Sequence, residues 1–125
     1  MSVGVNRVVL VGNLTRDPEQ RNTNSGMTVV SIRLAVNTRQ KQGDEWAEKP
    51  NYFDVTVFGA VADNCAKYLA KGRAVAVDGR LDWREWESEN GKRQAVQVIA
   101  DTVQFLGAKG DAPVETSAPD EEEMF

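Results

Sequence analysis

The feature that most narrows the choice of fold is the run NYFDVTVFG, Asn51 to Gly59. Read with a period of two, it puts Phe53, Val55 and Val57 on one face and Tyr52, Asp54, Thr56 and Phe58 on the other. That is the pattern of a strand covered on one side only. The first face is expected to be core. The second sets two rings among polar neighbours, where solvent-facing strand positions ordinarily carry Thr, Lys or Glu. Rings displayed on a wet sheet surface point to a stacking platform.

The device recurs in AVAVDGRLDWREW. Val75, Val77, Gly79, Leu81 and Trp83 share one face, and Ala76, Asp78, Arg80, Asp82, Arg84 and Trp86 share the other, so Trp86 stands beside Arg84 and Arg80. An aromatic flanked by guanidinium groups supplies what a single nucleic-acid strand requires, a flat apolar surface for a base and a fixed positive charge for the neighbouring phosphate. Any one of Tyr52, Phe58 or Trp86 alone would read as cover for a sheet edge or an oligomer interface. Three of them on the polar faces of two strands favour the platform. Trp83 falls on the apolar side and is assigned to core or interface.

At 125 residues the chain has room for one domain with a real core. No apolar run approaches membrane-spanning length, and the start, MSVGVNRVV, lacks the apolar centre of a signal peptide, so a cytoplasmic, nucleoid-associated protein is expected. Cys65 stands alone and there is no histidine, which excludes an internal disulfide, a His/Cys zinc cluster and any histidine base or triad. No metal, cofactor or catalytic residue is expected. The net charge of −4 hides an uneven distribution: all 15 Lys and Arg lie in residues 1–110 against 13 Asp and Glu, while the last fifteen residues hold the other 6 acids and no base. A mildly basic body with a detached acidic tail is a different electrostatic object from an acidic protein.

In chain order, Val5 to Leu14 reads as a first strand with both faces largely covered, interrupted by Arg7. Turns follow at Thr15 to Pro18 and at NTNSG, Asn22 to Gly26. From Met27 to Thr38 the residues Thr28, Val30, Ile32, Leu34 and Val36 are expected to face in, leaving Arg33 mid-strand on the polar side. Arg39 to Pro50 is polar with Gly43 and Asp44 at its middle, a long loop or hairpin tip. After Gly59 the period becomes helical, with Val61, Cys65, Tyr68 and Leu69 on one stripe, Asp63 in the first turn, Lys67 and Lys71 near the end and Gly72 as the stop. The strand from Ala74 to Trp86 joins the last one through ESENGK, where Asn90-Gly91 marks a hairpin. In that last strand the parity of apolar positions slips near Asp101, which predicts a bulge. Five strands with one short helix between the third and fourth form an all-β layout, that of the oligonucleotide-binding (OB) barrel. A small β-sandwich with an inserted helix fits the same order.

The segments VNRVVLVGNLTRDPE, NYFDVTVFG, YLAKG, VDGRL and REWESENGKR, in this order and spacing, resemble the bacterial single-stranded DNA-binding protein family over residues 4 to 106, and the tail resembles it as well. The resemblance implies an OB fold, a homotetramer, and sequence-independent coating of single-stranded DNA in replication, recombination and repair. It places stacking at Tyr52, Phe58 and Trp86. Gln40 occupies a position where some members carry tryptophan, and Trp46 in the neighbouring loop is the candidate substitute, though it could equally pack on its own hairpin. Phosphate contacts are assigned to Arg7, Arg21, Arg33, Lys49 and Arg84. The division expected is an ssDNA-binding domain over 1–106, a flexible linker over 107–119 and a partner-binding tip formed by Asp120, Glu121, Glu122, Glu123, Met124 and Phe125.

The linker is small, polar and Pro-containing, too poor in apolar residues to fold. An acidic run alone would read as a solubilising end. Followed by an apolar pair and a carboxylate, it fits capture in a basic-rimmed apolar pocket, and the family uses such a tip to recruit replication, recombination and repair enzymes. Met124 stands where the family usually has proline. Three other readings compete: a nuclease on the same barrel using Asp54, Asp78 and Asp82, a primosome-type or RNA-binding barrel, and a protein-only interaction module.

Overall fold

The computed structural model describes residues 3–107. The tail from residue 108, including the tip from Asp120 to Phe125, lies outside the described residues. Strands β1 (Val8–Leu14), β2 (Glu19–Asn22), β3 (Thr28–Gln42) and β4 (Glu45–Phe58) precede helix α1 (Gly59–Tyr68), and β5 (Ala74–Ser88) and β6 (Gly91–Leu106) follow it. The sheet runs β1-β5-β6-β4-β3-β2, and β1 pairs back onto β3 through Asn13↔Ala35 and Leu14↔Leu34. That second pairing closes five strands into a barrel, with the four-residue β2 attached to the outside edge of β3. A sandwich is thereby excluded.

Alternation decides the core, as the period-two reading expected. Val30, Ile32 and Leu34 of β3, Val55 and Val57 of β4, Val75 and Val77 of β5 and Val98 and Val103 of β6 are all essentially inaccessible. The parity slip is real. Asp78 pairs with Thr102 but Gly79 pairs with Ala100, so Asp101 is the extra residue of a bulge on β6. Here the two strands come so close that a β-carbon on Gly79 would lie 2.0 Å from the Ile99 carbonyl oxygen, and one on Gly12 would meet the Ala35 carbonyl oxygen at 2.3 Å beside the closing seam. Only glycine fits at either place.

Helix α1 packs on β3, β4 and β6 and buries Ala62 and Cys65, with Leu69 buried just beyond its end. Burial pushes the Cys65 thiol up to about 12, so it remains protonated and serves as a small hydrophobe. The helix begins directly on Gly59, so Asp63 lies past the first turn, which has no acid. Tyr68 is more exposed than its stripe suggested and meets Phe105 edge to face, with centroids 6.4 Å apart. The turn after the helix is fastened to the end of β1: Gly72 N–H donates to the Leu14 carbonyl at 2.8 Å, Leu14 N–H to that of Arg73 at 2.9 Å, Asn13 Nδ2 to that of Gly72 at 3.0 Å, and Lys71 N–H to Asp17 Oδ1 at 2.9 Å. The GNLTRDP and YLAKG segments are thus two halves of one structural joint.

Several expectations change. Residues 19–22, EQRN, form a strand although all four are exposed, because backbone pairing with β3 and not apolar alternation makes it. Of the two readings of residues 39–50, the hairpin holds and the loop does not: β3 and β4 pair continuously out to Gln42↔Glu45 around a two-residue turn, where Gly43 has φ 65°. The outer face of β1 is not covered, since Val9 and Val11 are 69% and 55% exposed. Trp83 also lies in register with core positions yet is exposed on the outer part of β5, and Phe53, opposite buried Leu34, is partly exposed just before the stretch where β4 pairs with β6.

Candidate nucleic-acid interface

The barrel has two protruding arms, the outer halves of the β3–β4 and β5–β6 hairpins. On the β3–β4 sheet, residues directly opposite one another share a face. Phe58 lies opposite Val29, Thr56 opposite Ser31, Asp54 opposite Arg33, Tyr52 opposite Ala35 and Trp46 opposite Lys41. Even positions of β4 therefore present Trp46, Tyr52 and Phe58 in a row. At about 3.3 Å per residue the six-residue spacings separate successive rings by roughly 20 Å. Each ring thus stands alone along the face.

The row continues onto the second arm through side chains. Strands β4 and β6 pair in parallel only over Val55↔Val98 to Val57↔Ala100. Just beyond, the Thr56 hydroxyl donates to Gln97 Oε1 at 2.6 Å, and Gln97 Nε2 reaches Asp82 Oδ2 of β5 at 3.4 Å. Thr56 is the buried polar side chain of the described residues. This link leads to Arg84 and Trp86, on the same face of β5 as Asp82.

Trp46, Tyr52, Phe58 and Trp86 are between 43% and 57% exposed, so all four rings are open to a ligand. Three have a guanidinium over them: Arg39 at 5.3 Å from the Trp46 centroid, Arg33 at 5.3 Å from Tyr52 and Arg84 at 5.4 Å from Trp86. Such contacts contribute about 0.5–1 kcal/mol at exposed sites, enough to orient the side chain and small enough for a base to compete. Arg39 was missed in the sequence, since its proximity to Trp46 exists only once residues 39–50 are paired.

The basic candidates separate. Arg21 and Arg84 line an open concavity of about 350 Å³ beside Phe58, together with Arg16, Glu19, Ser31, Asp54, Thr56 and Gln97. Arg33 sits over Tyr52 while its Nη1 donates to Asp54 Oδ1 at 3.1 Å, an exposed pair of little strength. Lys49 occupies the alternate parity of β4, opposite Thr38, and so belongs to the reverse face of the arm. Arg7 is held elsewhere: it bridges Asp78 at 2.8 Å and Asp101 at 2.9 Å, and Arg80 reaches Asp101 at 3.4 Å. The hydrogen bonds that Arg7 donates to Asp78, and then to Asp101, raise its pKa. The cluster braces the bulge, and Asn6 clamps the same region by donating to the Leu81 carbonyl at 2.8 Å and accepting from Leu81 N–H at 2.9 Å.

Of the carboxylates considered for a nuclease, Asp54 faces Arg33, Asp78 faces Arg7 and Asp82 faces Gln97. Among the described residues no group of three or more His, Cys, Asp or Glu is placed to hold a metal ion. No described helix is long and apolar enough to cross a membrane.

A closed five-stranded barrel with a helix ahead of its last hairpin, bearing rings and guanidinium groups on one face, defines an OB-type binding protein. Solved structures agree. A deletion mutant of the single-stranded DNA binding protein from Thermus aquaticus superposes with a TM-score of 0.78 at 33% identity, covering 88% of this chain and 54% of that one. A Plasmodium falciparum SSB in complex with ssDNA also gives 0.78, at 26% identity, covering 86% and 99%. Residues 5–106 match the Single-strand binding protein family. Proteins called single-stranded DNA-binding protein from Treponema pallidum and Borreliella burgdorferi are 43% and 40% identical over 83% of this chain, and single-stranded DNA-binding protein 1 of Staphylococcus aureus is 47% identical over 84%. The matches span 59%, 71% and 67% of those relatives' own lengths. This chain belongs to the single-strand binding protein family.

Because Thr56 is buried with Gln97 as its partner, Gln97→Leu should cost about 1–3 kcal/mol in urea unfolding, while the double variant Thr56→Val, Gln97→Leu should recover most of that loss. Additive losses in the double-mutant cycle would show that the link does not carry the coupling.

Proposed function

We propose that the chain binds single-stranded DNA without regard to sequence and protects it during replication, recombination and repair. The observation that carries this reading is the row of four half-exposed rings, three of them under guanidinium groups, on one surface spanning both arms. Every base has a π-face, so stacking is sequence-tolerant, and adjacent cations grip a backbone whatever bases it bears. A duplex hides its base faces and cannot use the rings. Tyr52, Phe58, Trp86 and Trp46 are the stacking residues, with Arg21, Arg33 and Arg84 as the phosphate contacts on the same surface. Lys49 is a contact only for a strand that wraps round the arm's edge.

Intrinsic tryptophan fluorescence should be quenched by oligo-dT and not by duplex of equal length, less so as salt rises. Trp86→Ala should weaken binding by about 1–3 kcal/mol. Quenching that is equal with duplex, or absent, would return the rings to a packing role.

Assembly as a homo-oligomer, with four copies as the family resemblance implies, is supported by two uncovered apolar surfaces. One is the outer face of β1 with Val9 and Val11, along a strand that pairs with β3 only at its last two residues. The other is the reverse of the β5–β6 arm, where exposed Leu81, Trp83 and Val96 lie together. Apolar patches of this kind mark interfaces. Sedimentation equilibrium should give a mass several times 13.8 kDa, and a mass of one chain would exclude the assembly.

Recruitment of partner enzymes is assigned to the tip from Asp120 to Phe125. Deleting it should leave oligo-dT binding at high salt intact while abolishing stimulation of a repair or replication enzyme on coated strands. Undiminished stimulation would locate recruitment elsewhere.

A further inference from the structure

The guanidinium groups around the platform divide by whether a carboxylate already holds them. Arg7 is held by Asp78 and Asp101, Arg33 by Asp54 and Arg80 by Asp101. Arg16, Arg21, Arg39, Arg84 and Arg93 have no hydrogen bond or ion pair to another side chain among the described residues, and of these Arg16, Arg21 and Arg84 converge on one concavity of about 350 Å³ between the arms. Like charges that outnumber the free acids beside them raise the local concentration of anions. Asp54 on the same lining is engaged with Arg33, and only Glu19 remains as a local acid. The rest of the lining suits a sugar-phosphate backbone beside a base: the Ser31 hydroxyl and the Phe58 ring.

We infer that this concavity seats a phosphodiester of the bound strand, with Arg16 as a phosphate ligand alongside Arg21 and Arg84. Arg16 lies in the turn ahead of β2, far in sequence from every ring. The concavity contains residues of β2, β3, β4, β5 and β6, so a strand held here passes from the Tyr52–Phe58 row to Trp86. The inference rests on the strand-binding reading above and adds where the backbone is gripped between the arms. A guanidinium already neutralised by carboxylates gains less from a phosphate than an unpaired one, which is why Arg16, absent from the sequence candidates, outranks Arg7, which was among them.

The test is oligo-dT affinity measured across a salt series for wild type, Arg16→Ala and Arg16→Lys, with Lys67→Ala on α1 as the control for loss of a surface charge. One lost phosphate contact reduces the slope of log K against log salt by about 0.7 for a single strand. Arg16→Ala should show that reduction, Arg16→Lys should retain the wild-type slope, and Lys67→Ala should match wild type. Inorganic tripolyphosphate is added as a competitor to separate strand phosphate from free phosphate. It should displace the strand less effectively than unlabelled oligo-dT at equal phosphate concentration. If wild type binds the strand and Arg16→Ala keeps its slope, or if tripolyphosphate is the stronger competitor, this assignment falls alone. If wild type ignores the strand, the strand-binding reading falls and takes this one with it.

Discussion

Closure of a single sheet on itself is the constraint from which the rest of this molecule follows. Five strands can meet edge to edge only if they coil strongly and approach closely at the seams. The chain meets that demand at Gly12, against the Ala35 carbonyl, and at Gly79, against Ile99, with Asp101 extruded as a bulge opposite. A methyl group at Gly79 would overlap a backbone atom that cannot swing away. Arg7 and Arg80 then hold the extruded carboxylate, so charge that resembles a binding surface in the sequence serves to stabilise a distortion that closure requires.

Closure also explains why so many large side chains are exposed. Within the barrel, alternation buries valine and isoleucine against α1 and the opposite wall. Strands β3, β4, β5 and β6 are 14 to 16 residues long, longer than the barrel needs, and past its rim the same alternation has no core to fill. Positions in phase with the core then become the exposed patch of Leu81 and Trp83, and positions out of phase carry Trp46 and Trp86, while Phe58 stands out of phase on the barrel itself, opposite Val29. One sequence period thus produces the core, the exposed rings and the apolar reverse of the arm.

On this side the backbone joins the two arms through only three paired positions of β4 and β6. The Thr56–Gln97–Asp82 link fixes the phase between them. For the proposed strand, whose contacts would lie roughly 20 Å apart, this matters because contacts add up only when their spacing is preset and little ordering remains to be done on binding.

What could be read from the amino-acid order was whatever depends on neighbours in the chain. The period of two gave the faces of β3, β4 and β5, the change to a helical period placed α1, Asn90-Gly91 marked the second hairpin, and the parity slip located the bulge at Asp101. Tyr52, Phe58 and Trp86 stood out for the same local reason, as rings out of phase with the apolar positions. What only the tertiary structure decided was the partner of each charge. Arg7 and Arg16 are equally plain cations in the sequence, yet β5 and β6 bring two carboxylates to the first, and the turn before β2 delivers the second, unpaired, beside Phe58. Strand β2 and the link through Gln97 were hidden for the same reason: backbone pairing and contacts between residues 41 positions apart leave no trace in local periodicity.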